Sequence, residues 1–151
     1  MDLKKDKYII LEIIPTAISP KKGDIVQLSA IKLEGLQLLD RFDYRLREDL
    51  IALEDFRKMI DYDKDAFKYA NDTKEILGDF KKWSDGLPLL ILDNTYTNNF
   101  LESLDNKKES ICKYLEMDYH DRVIEELIEK FDIPETNYIV DILYESLIKH
   151  L

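Results

Sequence analysis

The segment from Tyr8 to Gly35, YIILEIIPTAISPKKGDIVQLSAIKLEG, constrains the fold more than any other. Tyr8 to Ile14 is apolar at nearly every position and rich in β-branched residues, so both faces of that strand must be covered. A strand of this kind belongs in the middle of a sheet. Pro15 ends it, and Ser19-Pro20-Lys21-Lys22-Gly23-Asp24 carries turn chemistry. Ile25 to Leu33 returns as a second strand, Glu34-Gly35 turns the chain again, and Leu36 to Leu46 reads as a third. In the third strand Leu39, Arg41, Asp43 and Arg45 alternate against Leu38, Phe42, Tyr44 and Leu46. Three strands with short connections predict an antiparallel meander.

Helical spacing follows. Asp49 to Ile60 and Lys64 to Tyr69 read as short helices in a long connection. Asn71-Asp72-Thr73 offers caps for TKEILGDFKKWSDG, in which Ile76, Leu77, Phe80 and Trp83 share one face. Gly86 and Pro88 close that helix before the strand LPLLILD. Asn94 or Thr95 can cap a short helix holding Phe100, Leu101 and Leu104, and Ser110 to Met117 reads as a fifth strand. Asp121 to Phe131 and Asn137 to Leu151 are periodic helices separated by Asp132-Ile133-Pro134. The order predicts an α/β class with a mixed five-stranded sheet, meander first, flanked by helices.

Length bounds the organisation: 151 residues fit one domain, 1–151, large enough to fold on its own core. The single Cys112 cannot close an internal disulfide, which points to a reducing, cytoplasmic setting. No leader signature is expected at MDLKKDKYIILEII, and no apolar run is long enough to span a bilayer. The formal net charge of −10 opposes tight binding to a phosphate backbone, which is driven by basic patches. Lys4, Lys5, Lys7, Lys21, Lys22, Arg41, Arg45 and Arg47 are the candidate clusters, and solvated side chains are the simpler reading of each.

The opening hairpin resembles that of the DnaQ-like, or DEDD, 3′–5′ exonucleases. In that family an apolar strand carries Asp-x-Glu, followed by a Thr/Gly turn, a Ser-Pro and a second apolar strand. Here the frame reads Thr16, Ser19-Pro20, Gly23-Asp24 and IVQLSAIKLEG. The resemblance runs in order along nearly the whole chain and implies a ribonuclease H-like fold. It also implies four carboxylates gathered from separated segments to hold two divalent ions, Mg²⁺ or Mn²⁺. One ion would activate water and the other would stabilise the leaving oxygen. In one subgroup a His acts as general base.

Mapped residue by residue, Glu12 falls where the first Asp belongs and Ile14 where the Glu belongs. A hydrocarbon at position 14 cannot ligate metal. Glu12 reads either as a remnant ligand or as a strand-end residue at the surface. The second motif resembles LPLLILDNTYTNNFL, with Asp93-Asn94 in the His-Asn place and Asn98 or Thr97 where the Asp belongs. Asp93 reads as a helix cap, with substitute ligand as the alternative. The third motif maps onto Thr136, in place of the His, and Asp141, the one acidic position kept unchanged. Thr136 has no pKa suited to a base and reads, like Asn137, as a cap. Asp141 reads as a ligand or as an exposed helix-face carboxylate.

His120 within Asp118-Tyr119-His120-Asp121 reads as a solvated turn before a metal ligand, and Cys112 as a buried thiol. Tyr62, Tyr69, Tyr96 and Tyr119 are the aromatics not assigned to a core face. Together these residues predict an exonuclease-like domain with an impaired active site: a pseudoenzyme that binds a protein partner, or weakly a single-stranded nucleic acid, without membrane association. No cofactor is expected. The alternative is an active exonuclease using Mg²⁺ or Mn²⁺ on a rearranged set of Glu12, Asp141 and Asp93 or Asn98.

Overall fold

The computed structural model describes residues 1–15, 17–45, 73–135 and 138–151. Thr16, Thr136, Asn137 and the helices expected at Asp49–Ile60 and Lys64–Tyr69 lie outside the described residues, as do Tyr62 and Tyr69. Five strands form one sheet in the order β3-β2-β1-β4-β5. They are β1 (Lys7–Pro15), β2 (Ile25–Glu34), β3 (Gln37–Arg45), β4 (Leu89–Ile91) and β5 (Lys108–Ser110). The first three are the expected antiparallel meander; β4 runs parallel to β1, and β5 parallel to β4.

β1 occupies the centre, as its two-sided apolar run requires. Ile9, Leu11 and Ile13 point to one face, where α1 (Thr73–Ser84) and α2 (Thr95–Leu101) contribute Ile76, Leu77, Phe80, Phe100 and Leu101. Tyr8 and Ile10 point to the other, which is covered by α3 (Ile111–Tyr114), α4 (Val123–Phe131) and α5 (Ile139–His150). The product is a helix–sheet–helix sandwich with a core on each side. Burying each large side chain in those cores contributes about 1.5–3 kcal/mol before conformational entropy is offset.

The turn from β2 to β3 shows how tightly the meander is fixed. Gly35 has φ +59°, and a Cβ there would lie 2.6 Å from the Lys4 carbonyl oxygen, so only glycine fits. Its N–H donates to the Asp6 carbonyl at 2.9 Å, its carbonyl accepts from the Tyr8 hydroxyl at 2.9 Å, and the Leu36 carbonyl accepts from Tyr144 at 2.8 Å. The turn thereby ties β1 to the far helix layer.

One element differs from expectation. The fifth strand ends at Ser110, and Ile111–Tyr114 is helical rather than extended. The apolar residues that suggested a strand, Ile111, Cys112 and Leu115, instead bury themselves at helical spacing in the core beneath α4 and α5.

Candidate functional site

Because β1, β4 and β5 run in one direction, their carboxyl ends bring Glu12, Asn94 and Cys112 to one end of the sheet. Glu12 shares the face of Tyr8 and Ile10, the face on which α5 packs. It is only 1% exposed, so the reading of a surface strand-end residue does not hold. Its Oε2 has no hydrogen-bond partner. Burial alone pushes its pKa up from 4.5 to about 8, with no charged neighbour contributing. A carboxyl group in that setting keeps its proton at neutral pH.

Polar groups surround it. Across β2, Glu12 pairs with Ser29, and Ile14 with Gln27, both buried. The Gln27 Nε2 donates to Ser29 at 3.4 Å while its Oε1 is left unpartnered. The Tyr96 and Tyr119 hydroxyls lie close enough to feel a charge on Glu12, and both feel the Asn94 amide. Burial is the main reason that both phenols hold their protons above the ordinary range. Asn94 Nδ2 and Thr97 Oγ1 are buried without partners. Among the described residues these four buried side-chain atoms are left without a hydrogen-bond partner.

The segment after β4 sorts the second motif. Asn94, not Asp93, caps α2: its Oδ1 accepts from the Thr97 N–H at 2.9 Å. Asp93 is exposed and accepts from the Asn98 amide at 3.1 Å. Of the two residues that could stand for the missing Asp, Thr97 turns into the core and Asn98 turns out.

Asp141 stands in the first turn of α5 and is partly buried. It is not a free helix-face carboxylate. Arg41 Nη1 donates to its Oδ1 at 2.7 Å and Nη2 to its Oδ2 at 3.5 Å, while Arg41 Nε donates to Asp43 at 3.1 Å. Asp141 first, then Asp43, hold the guanidinium pKa above its ordinary value. Arg41 is therefore held by two carboxylates rather than free for a phosphate. Nothing in the local sequence marks this pair, whose members are 100 residues apart.

Elsewhere His120 is exposed and meets Glu126, its ring also accepting from the Arg122 N–H at 3.2 Å, as expected of a solvated turn. Arg122, rather than Asp118 or Asp121, stands at the cap of α4. Cys112 is a buried free thiol whose pKa is raised by that burial.

The donor set was tested against the two divalent ions that the resemblance implies. Hard cations need several oxygen ligands, mostly charged, around each ion. Among the described residues no group of three His, Cys, Asp or Glu side chains is placed to hold a metal ion. Glu12 lies in an uncharged interior, Asp141 is taken by a guanidinium, Asp93 is turned to solvent, and Ile14 offers only carbon. These residues do not fit a two-ion site.

No family model matches the chain. Among curated proteins it is 21% identical over 150 residues to the PolC-type DNA polymerase III of Bacillus subtilis, covering 90% of this chain and 10% of the polymerase. It is 24% identical over 82 residues to the Staphylococcus saprophyticus counterpart, covering 54% of this chain and 6% of that protein. Solved structures give the same direction: product-bound exonuclease I superposes with a TM-score of 0.54 at 11% identity, covering 96% of this chain and 42% of the other. The sequence matches and the structural matches both make the chain similar to DnaQ-like exonucleases, whose fold it shares. A zinc-bound complex of Escherichia coli exonuclease I with single-stranded DNA (TM-score 0.51, 13% identity, covering 95% and 39%) shares this fold. So does exonuclease I complexed with SSB-Ct (TM-score 0.52, 11% identity, covering 96% and 40%). The exonuclease-like chain spans a tenth or less of the curated relatives it matches. Among its described residues no helix is long and apolar enough to cross a membrane.

Proposed function

We propose that this chain is a single exonuclease-like domain, 1–151, that does not cleave nucleic acid and acts in the cytoplasm as an interaction module. The observation that carries this reading is the burial of Glu12, which is only 1% exposed and whose pKa that burial pushes up to about 8. A ligand for a divalent ion must give up its proton. Burial works against that at Glu12.

A protein is the favoured partner. With a net charge of −10 the chain repels a phosphate backbone, and Arg41, a natural phosphate ligand, is already engaged. Exonuclease I, of which this chain covers about 40%, has been solved with single-stranded DNA and with SSB-Ct, which supports considering both classes of partner. Single-stranded nucleic acid remains the weaker partner for this chain.

The test is to incubate the purified chain with 5′-labelled single-stranded DNA and RNA in Mn²⁺. The expected result is intact label at full length. Stepwise loss of 3′ nucleotides, abolished by Asp141→Asn, would instead establish the active enzyme with a rearranged ligand set.

A further inference from the structure

A second polar cluster lies on the same face as Glu12. Glu12, Ser29 and Asp43 form one cross-strand row, and Ile10, Ile31 and Arg41 form the adjacent row. Arg41 bridges from this edge strand to the start of α5. One side of its guanidinium takes Asp43 of its own strand, the other takes both oxygens of Asp141, and the Tyr138 ring lies 5.5 Å from its central carbon. Arg41, Asp43 and Asp141 are each about one-third exposed or less.

Two carboxylates from two separate elements thus converge on one positive charge. That arrangement has the charge logic of a cation site, but here the cation is a side chain. Both Asp141 oxygens face the guanidinium, at 2.7 and 3.5 Å, so a divalent ion ligated there would sit against its positive charge. Displacing Arg41 would strand a partly buried guanidinium on Asp43 alone, which is costly. The planar fork also fixes the direction of approach, something a lysine ammonium cannot do.

We propose that Arg41 is the resident cation of this face, occupying the Asp141 carboxylate in place of a divalent ion and fastening β3 to the start of α5. The inference rests on the reading of a non-catalytic domain and names the residue that bars metal from its last acidic position. Removing the guanidinium leaves Asp43 and Asp141 as neighbouring, unpaired carboxylates, a weak site for an oxygen-seeking divalent ion.

The experiment is paramagnetic broadening of amide resonances by Mn²⁺ on the wild-type chain, Arg41→Gln and Arg41→Lys. The wild type should show no selective broadening around Asp141 and Asp43. Arg41→Gln should show it, with affinity at least roughly tenfold above the wild type, and adding Asp141→Asn should abolish it. Arg41→Lys, which keeps a charge, should stay near the wild type. Selective, Asp141-dependent broadening in the wild type would overturn the inference, and that arm stands even if Arg41→Gln fails to fold. An Arg41→Gln chain that folds but binds no Mn²⁺ would overturn it too. Nuclease activity without broadening at Asp141 would sink the functional reading alone; broadening without nuclease activity would sink this inference alone.

Discussion

Glu12 and Asp141 are the two acids that the resemblance carries over as metal ligands, and the fold neutralises them in opposite ways. Glu12 lies buried in the centre of the sheet, where the loss of solvation favours the protonated form. Asp141 lies at the sheet's outer strand, partly open to water, and is neutralised by Arg41. In a two-metal nuclease the cations would do both jobs at once. Here each carboxylate has found a separate solution, and neither solution needs the other. The difference teaches that the frame of such a fold is held by its meander and helix layers, while its acidic positions can be settled one by one.

The largest expected effect comes from breaking the Glu12 half. The folded chain holds a proton that the unfolded chain releases between its ordinary pKa of 4.5 and about 8. Stability is therefore full below 4.5, falls as pH rises toward about 8, and is flat beyond. Glu12→Gln removes that slope. Relative to the wild type, the variant should gain roughly 3–5 kcal/mol between acid and alkaline conditions, read from urea midpoints across pH. Parallel pH profiles would show that Glu12 is solvated or charged.

Breaking the Asp141 half should cost less. Asp141→Asn leaves Arg41 with Asp43 alone and should lower stability by about 1–2 kcal/mol at neutral pH, while Asp43→Asn should cost below about 1 kcal/mol. Denaturant midpoints for both, compared with the pair, would show whether the guanidinium treats them as one site. A smaller effect separates the halves again. Raising salt should weaken the contribution of the partly exposed Asp141 pair by a few tenths of a kcal/mol and leave the pH slope from Glu12 nearly unchanged. Equal salt sensitivity would contradict the burial difference.

Much of this frame was legible in the sequence. The two-sided apolar run from Tyr8 to Ile14 predicted a central strand, and the alternation in β3 put Arg41 and Asp43 on one face and Phe42 and Tyr44 on the other. What the sequence did not disclose is mostly long-range. Tyr96 and Tyr119, which feel the Glu12 charge, come from distant segments, and the Arg41–Asp141 pair joins an edge strand to the last helix. Asp93 and Asn94 were equally good caps on paper; local backbone geometry chose Asn94. Ile111 to Leu115 misled because a short apolar run fits a strand or a buried helix turn equally well.

The central claim is that both retained acids are neutralised from within the chain. It is met most directly by following the side-chain carboxyl carbon of Glu12 by ¹³C NMR through a pH titration, with and without Mg²⁺. The account predicts a midpoint near 8 that Mg²⁺ does not move. A midpoint near the ordinary 4.5, or one that Mg²⁺ drives downward, would mean that Glu12 is a ligand after all and that the site is built for metal.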